Sequence, residues 1–157
     1  MNTDEILLRA PTNQDGSFII DSWVREAREH YPANLVDKSL FYNEEKEIVK
    51  VLISKSLILI ACNPEDPEQI YGYMVFEKVA DIPIIHFLYV KLLFRENGIA
   101  RHLINSVFED FGKKKTVISH IPRSRKEDGK YIDSAKQTLI KYNLRFDPFI
   151  IDRRMKQ

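Results

Sequence analysis

The stretch FRENGIARHLI (94–104) carries three residues whose types and spacing could hold an anion: Arg95, Gly98 and Ala100. A helix that opens after a tight loop presents unpaired backbone N–H groups and the positive end of its dipole. The backbone from Arg95 to Ala100 could converge on a phosphate or diphosphate. Gly98 has no Cβ, so an oxygen can approach the chain there, and Ala100 keeps the first helical turn slim. Arg95 could add a charge-assisted bond from the side. A plain strand-to-helix turn has the same appearance, and on these residues alone the two readings stand level. The pattern is neither GxxxxGK[ST] nor GxGxxG, which excludes the P-loop and the dinucleotide fingerprint.

The elements around this loop follow from hydrophobic period. EILLRA (5–10) reads as a short strand, and the polar cap TNQDGS leads into FIIDSWVREAREHY. There Ile19, Ile20, Trp23, Val24, Ala27 and Tyr31 recur at helical spacing, and Pro32 ends the helix. LFYNEEKEIVKVLISKS is a second helix, with Ile48, Val49, Leu52 and Ile53 on one face. LILIAC (57–62) reads as a buried strand closed by the turn NPEDPEQ. IYGYMVFEKV (70–79) and IIHFLYVK (84–91) are further strands, close enough in sequence to pair antiparallel. The helix after the loop places Ala100, Leu103, Ile104, Val107, Phe108 and Phe111 on one period, with KKK (113–115) at its end suiting the dipole. TVISHI is a strand, PRSRKEDGK a polar loop and YIDSAKQTLIKYN a helix. LRFDPFIIDRR is a last strand, with Pro148 marking an edge or bulge. The order is β-α-α-β-β-β-α-β-α-β, which predicts one α/β domain over 1–157 with a mixed, mostly antiparallel sheet.

Composition narrows the function classes. With 157 residues, 44% of them hydrophobic, the chain can bury a sizeable core. No apolar run is long enough for a membrane span, and MNTDEILLRA does not read as a signal peptide. The single Cys62 forbids an internal disulfide and offers no metal cluster, so a reducing cytoplasm is the expected location. Charge is uneven: residues 1–90 hold 8 Lys+Arg against 15 Asp+Glu (−7), and residues 91–157 hold 16 against 8 (+8). A basic second half suits a polyanionic small molecule or nucleic acid.

LYVKLLFRENGIARHLI (88–104) resembles the acetyl-CoA loop of the GNAT superfamily of N-acetyltransferases. In that pattern a strand ends in valine, about four residues follow, and R/Q-x-x-G-x-G/A opens a helix. Leu88, Tyr89, Val90, Arg95, Gly98, Ile99, Ala100 and Leu103 fall on it in register. The order of elements is also similar, so the resemblance spans nearly the whole chain, and it is closest to small phage-encoded members. A phage gene would place the protein in the host cytoplasm. The resemblance implies a GNAT-like sheet flanked by helices, splayed between strands 4 and 5, with acetyl-CoA as cofactor. Backbone groups of Arg95, Glu96, Asn97, Gly98, Ile99 and Ala100 would hold the pyrophosphate. The pantetheine arm would pair along Leu88, Tyr89 and Val90 like an added strand. Arg101, Lys91 and Lys136 could help as cations.

There are departures. Leu92 stands where a proline is frequent, and Glu96 where a glycine is frequent. Leu139 occupies the place of the tyrosine that many relatives use to protonate the leaving thiolate, and Asn143-Leu144 replaces Gly-Phe. Tyr142 and Tyr131 lie nearby and read as packing residues. The C-terminal strand pair looks short, which leaves a homodimer open.

Direct acyl transfer needs a neutral amine close to the thioester and a group or water to take its proton. His86 is the first candidate base, read as sharing strand parity with Leu88 and Val90. His120 on the next strand is the second and Glu77 the third, with Ser119 able to hold a water or protonate the thiolate. Each has a plain structural reading beside the catalytic one. Trp23, Tyr31, Phe41 and Tyr42 belong to the two helices that shape the acceptor pocket in the family, and Trp23 reads better as core. The expected reaction is acetyl transfer to a small-molecule amine or protein acceptor, with no metal. A different class is a catalytically degenerate GNAT-like protein that binds CoA or a partner, structural or inhibitory, which the missing tyrosine favours. Nucleic-acid binding, motivated by KKK and RSRK, is disfavoured because no known module or aromatic-basic interleaving accompanies them.

Overall fold

The computed structural model describes residues 5–29, 33–120, 126–127, 130–131 and 139–156. Six strands form one sheet in the order β1-β2-β3-β4-β5-β8. They are β1 (Leu7–Arg9), β2 (Leu57–Cys62), β3 (Ile70–Val79), β4 (Ile82–Val90), β5 (Thr116–Ile118) and β8 (Leu144–Phe146). The first three contacts are antiparallel, and β4–β5 and β5–β8 are parallel. This is the expected mixed GNAT-like sheet. A small ribbon, β6 (Lys126–Glu127) with β7 (Lys130–Tyr131), lies in the stretch read as polar loop and takes in Tyr131, the first residue of the stretch read as a helix.

Helices α1 (Asp15–Arg28) and α2 (Lys38–Lys55) cover one face of the sheet. Ile19, Trp23, Val24, Val49 and Leu52 pack there on Tyr73, Val75, Phe87 and Tyr89. Helix α3 (Ile99–Val107) covers the other face, where Ile99, Leu103 and Ile104 meet Met74, Phe76, Ile85 and Ile118. From Tyr73 onward, alternation along β3 sends odd residues to the first core and even ones to the second, whereas Ile70 and Tyr71, opposite the irregularity at Ala61/Cys62, reverse that order. Trp23 is fully buried and stacks on Phe87 with ring centroids 4.7 Å apart. Phe41 and Tyr42 pack at the margin of the same core, and Tyr31 lies outside the described residues.

The link between β3 and β4 is a two-residue turn, Ala80-Asp81, with φ of 48° and 63°. Positive φ at both positions matches the twist of the flanking strands, so the hairpin closes tightly. α1 is anchored at its start by Asp15, whose carboxylate accepts from Thr12 N at 2.6 Å and from Arg9 at 2.7 and 2.9 Å. Asp37 caps α2 by accepting from Leu40 N. Among the described residues no helix is long and apolar enough to cross a membrane.

Three readings of the sequence need correction. α3 stops at Val107, although Phe108 and Phe111 still pack on the core its apolar stripe fills. The chain turns through Gly112, at φ 86°, and Lys113 and Lys114 pair with Asp110 rather than with the helix end. The last strand ends at Phe146. Asp147 accepts from Phe149 N across the Pro148 turn, and Ile150–Met155 forms a helix, α4. Its Ile151 and Met155, four residues apart, dock on the α1/α2 core, so burial of that pair favours helix over strand. Of the helix read over YIDSAKQTLIKYN (131–143), 139–141 are helical, but Tyr131 belongs to β7 and 142–143 form a turn, while 132–138 lie outside the described residues. The third correction, at His86, belongs to the site.

Candidate functional site

β4 pairs with β5 at only two positions, Ile84 with Val117 and Ile85 with Ile118. Ser119 N still donates to Ile85 O at 3.3 Å, and then the strands part while β4 continues to Val90. The splay expected between strands 4 and 5 therefore opens at His86. Lys91 N donates to Tyr71 O on the β3 side. By alternation, residues 89 and 91 direct their backbone groups to β3, while Leu88 and Val90 direct theirs into the gap. The Tyr89 side chain is buried against Phe18 and Tyr73 and its backbone groups face β3, so the free backbone groups along the gap belong to Leu88 and Val90.

A cleft of about 990 Å³ occupies this gap and reaches the loop before α3. Its walls include Leu88, Tyr89, Val90, Arg95, Glu96, Gly98, Ile99, Ala100 and Arg101, and at its inner end Ile85, His86, Ile118 and His120. Nine of the ten residues read from the sequence as a cofactor loop thus line one cavity. Asn97 is the tenth, and its Nδ2 donates to Arg95 O, bracing the loop from behind.

The loop's shape follows from its backbone. Leu92–Phe94 forms a single 3₁₀ turn, and Arg95 N is committed to Leu92 O at 3.3 Å. Glu96 and Gly98 both have positive φ, 69° and 77°. Glu96 therefore holds the left-handed conformation that the glycine of the family pattern would adopt freely. Gly98 is the residue before α3, His102 N closes the first helical bond to Gly98 O at 2.9 Å, and the earlier helical N–H groups point outward. A Cβ on Gly98 would meet no atom within 4 Å, so the glycine leaves open space on the cleft side rather than filling a tight contact.

Arg95 does not reach across the loop as expected. Its Nε donates to Val90 O at 2.9 Å and its Nη2 lies 3.6 Å from Glu26 of α1. The guanidinium ties the loop to the end of β4 and to α1, and it occupies one lone pair of the Val90 carbonyl. Arg101 instead turns toward Tyr142, whose hydroxyl is drawn below the usual phenol range by bonding to Arg101 and then by Lys141. Tyr142 stacks on Phe111 and lines the same cleft. Lys91 lies over the Phe18 ring at 4.9 Å and faces a separate hollow of about 430 Å³ beside Arg9 and Thr12. Lys136 and the Tyr131 side chain lie outside the described residues.

At the inner end, His86 sits in a β-bulge. Val75 pairs with Phe87 and Phe76 with Ile85, so His86 is an extra residue in β4. Its ring bonds Glu77, which shares the α1/α2 face with Tyr73 and Val75, whereas Leu88 and Val90 pack toward α3. The parity read from the sequence is broken by the bulge. His86 is fully buried, with Nε2 2.7 Å from Glu77 Oε1. Glu77 Oε2 accepts from Arg154 of α4 at 2.6 and 3.1 Å. Burial pulls the His86 pKa down, against the carboxylate beside it. Burial also pushes the Glu77 carboxyl up, but hydrogen bonds from Arg154 and His86 outweigh it and the carboxyl stays below its usual range.

Ser119 and His120 meet the backbone of the bulge. Ser119 Oγ donates to His86 O at 2.6 Å, and His120 Nδ1 lies 2.8 Å from that hydroxyl and 3.0 Å from His86 O. Two acceptors around Nδ1 place the His120 proton there, which makes Nε2 the basic nitrogen. The His120 ring stands edge-on to Phe87 and Trp23 and is half-buried in the cleft wall. The structure thus brings His86, His120, Ser119 and Glu77 together. Arg154 and Glu26 were not picked out from the sequence, because their partners lie 77 and 69 residues away. Among the described residues no group of His, Cys, Asp and Glu is arranged to hold a metal ion.

No family model matches the chain, and no curated protein matches it. Solved structures do. A possible acetyltransferase from Clostridium difficile 630 aligns over 90% of this chain and 93% of its own, at TM-score 0.54 and 14% identity. A proposed acetyltransferase from Pyrococcus furiosus aligns over 77% and 85%, at 0.56 and 16%. A GNAT family acetyltransferase from Brucella melitensis, solved in complex with acetyl-CoA, aligns over 67% of each chain at 0.47 and 21%. In other matches the chain spans under two thirds of the other protein, 65% and 62% in two of them. With its parallel β4–β5 and β5–β8 contacts and the gap they frame, the chain has the GNAT acetyltransferase fold.

Proposed function

We propose that the protein is an acetyl-CoA-dependent N-acetyltransferase that moves an acetyl group to an amine by direct attack. The observation that carries this is the cleft itself. One cavity joins the unpaired edge of Leu88 and Val90 to the open start of α3, as a pantetheine arm ending in a diphosphate requires. The N–H groups from Gly98 to Ala100 would hold the diphosphate, and Leu88 and Val90 would bond the arm as an added strand. Arg101 and Lys141 supply positive charge on the cleft wall. The acyl end would then lie by His86, Ser119 and His120, where β4 and β5 join. Amine deprotonation would fall to one of these two histidines, and the Ser119 hydroxyl beside them would carry a proton to the departing thiolate. The acceptor would be a small amine or a protein amine, and Glu26 on the cleft wall gives it one carboxylate to meet.

Thermal shift and calorimetry with CoA and acetyl-CoA test the reading, since a ligand of the native state must raise Tm. Gly98→Glu should abolish the shift by placing bulk and negative charge against the diphosphate. Wild-type protein that shows no shift at millimolar cofactor would sink the proposal. A second reading, a CoA-binding protein that does not turn over, is favoured by the complete burial of the His86 ring. Thiol release from acetyl-CoA over a panel of amines separates the two.

A further inference from the structure

The buried polar atoms around the bulge form a chain that the acetyl-transfer reading does not by itself require. Arg154 donates twice to Glu77 Oε2, and the other carboxylate oxygen lies 2.7 Å from His86 Nε2. An ionised carboxylate only accepts, so Nε2 carries the hydrogen and Nδ1 is left with a lone pair. His86 Nδ1 is buried and has no hydrogen-bond partner among the described residues, an uncommon state for a native polar atom. His86 is one of the residues that line the cleft, at the end where the strands part, and its ring lies buried just behind that wall. A carboxylate behind a histidine and an arginine behind the carboxylate would define the tautomer of a base whose free nitrogen awaits a donor.

We propose that Arg154 is a positioning residue of the active centre, acting through Glu77 to hold His86 as the Nε2–H tautomer with Nδ1 kept for a donor in the cleft. This rests on the acetyltransferase reading. The C-terminal helix is then part of the site, although Arg154 never meets the substrate. In the reaction, Nδ1 takes one proton from the acceptor ammonium, directly or through a water, and leaves a neutral amine. The resulting imidazolium lies against the Glu77 carboxylate. The amine nitrogen then bonds to the thioester carbon as the carbon–sulfur bond breaks, and the thiolate leaves with that electron pair. The proton lost by the attacking nitrogen and the one held by His86 are released, one to the thiolate and one to solvent. Among the described residues, the titratable and charged groups facing His86 are Glu77 from β3, His120 from the segment just after β5 and Arg154 from α4. Burial of the ring keeps it neutral near pH 7, consistent with this role.

The test is long-range ¹H–¹⁵N correlation on the full chain labelled at histidine nitrogen, without cofactor. At pH 7, His86 in the wild type should show a hydrogen on Nε2 and a bare Nδ1. In Arg154→Met the carboxyl should take up a proton more readily, so the His86 tautomer should mix or invert, and Arg154→Lys should restore it in part. Thiol release from acetyl-CoA should fall at least tenfold in kcat in Arg154→Met, with KM for acetyl-CoA unchanged, and Arg154→Lys should recover part of it. A wild-type His86 protonated on Nδ1 or on both nitrogens at pH 7 overturns the proposal, and needs no variant. So does an Arg154→Met protein that folds with its tautomer and kcat unchanged. Failure of CoA to shift Tm, with the Nε2–H tautomer in place, instead refutes the acetyltransferase reading and leaves the hydrogen-bonded chain as observed.

Discussion

Gly72 should be the least replaceable glycine described in this chain, and Gly72→Ala tests the geometry of β4, the strand proposed to pair with the pantetheine arm, without touching the cleft. A Cβ there would lie 2.4 Å from Tyr89 O, 3.1 Å from Val90 Cα and 3.3 Å from Tyr89 C. All three are backbone atoms of β4, and real Cβ contacts stay beyond about 3.0 Å, so β3 and β4 must separate by at least about 0.6 Å. Overpacking of this kind costs about 1–3 kcal/mol. The separation also strains the Lys91 N to Tyr71 O bond, now 2.8 Å, which contributes about 1 kcal/mol. Together these give a loss of about 2–4 kcal/mol, or roughly 4–16 °C in Tm for a domain of this size. Val90 pairs with Gly72 on one side and faces the gap on the other, so CoA should also bind more weakly. Gly16→Ala is the control. Gly16 lies in α1 with nothing within 4 Å of a new Cβ, and alanine should stabilise slightly through helix propensity, by about 0.5–1 kcal/mol at most. Both proteins would be melted by circular dichroism and then titrated with CoA. A Gly72→Ala Tm within about a degree of wild type would refute the reasoning.

Asp15→Asn should destabilise at neutral pH and matter less in acid. Hydrogen bonds from Arg9, ahead of the opposing burial, and then from Thr12 hold this carboxyl at about 2 against 3.8. Its folded pKa is depressed, so the contribution is complete above pH 3.8 and fades as pH falls toward 2. Allowing for solvent screening it amounts to about 1–2 kcal/mol. Urea unfolding of both proteins at pH 7 and pH 2 checks this, and a wild-type advantage undiminished at pH 2 would count against it. Glu96→Gly should leave Tm unchanged or raise it. It removes about 1–2 kcal/mol of left-handed strain but loosens the unfolded chain by about 0.4–1 kcal/mol. It also takes a carboxylate away from the proposed diphosphate site, so CoA should bind several-fold tighter at low salt, with a gain that shrinks as salt rises. Weaker CoA binding by this variant would argue against the loop as the diphosphate site.

Much of the sheet was legible because its strands differ sharply from their flanks. LILIAC and IYGYMVFEKV are apolar runs closed by turn chemistry, and β2 and β3 have the bounds read from them. The loop before α3 was legible for a related reason, since a glycine at positive φ beside an amphipathic helix leaves a local mark. Arg95 shows the limit of that signal. Its type and position fit an anion ligand, yet its nearest acceptors are Val90 O and Glu26, and reach across the fold decided where the guanidinium went. The C-terminal helix escaped for another reason. Six residues are too few to show a helical period, and only docking of Ile151 and Met155 on α1 and α2 settles their conformation.

His86 joins these two failures of local reading in one place. A bulge is a property of a strand pair, because the extra residue exists only relative to the partner's count. IIHFLYV alternates smoothly as a sequence, so parity placed His86 with Leu88 and Val90. The bulge turns its ring to the opposite face, where Glu77 waits on β3 and where α4 can deliver Arg154. The same bulge directs the His86 carbonyl toward Ser119 and His120, at the point where β5 leaves β4. One inserted residue therefore gives the buried histidine its carboxylate, at the very point where the parallel pairing ends and the cleft begins. Deleting His86 should restore regular alternation and separate these effects. If the bulge frames the cleft, the shortened strand should keep its hairpin with β3 yet lose CoA binding. Retained binding would mean that the gap is held open by the cores on its two sides instead.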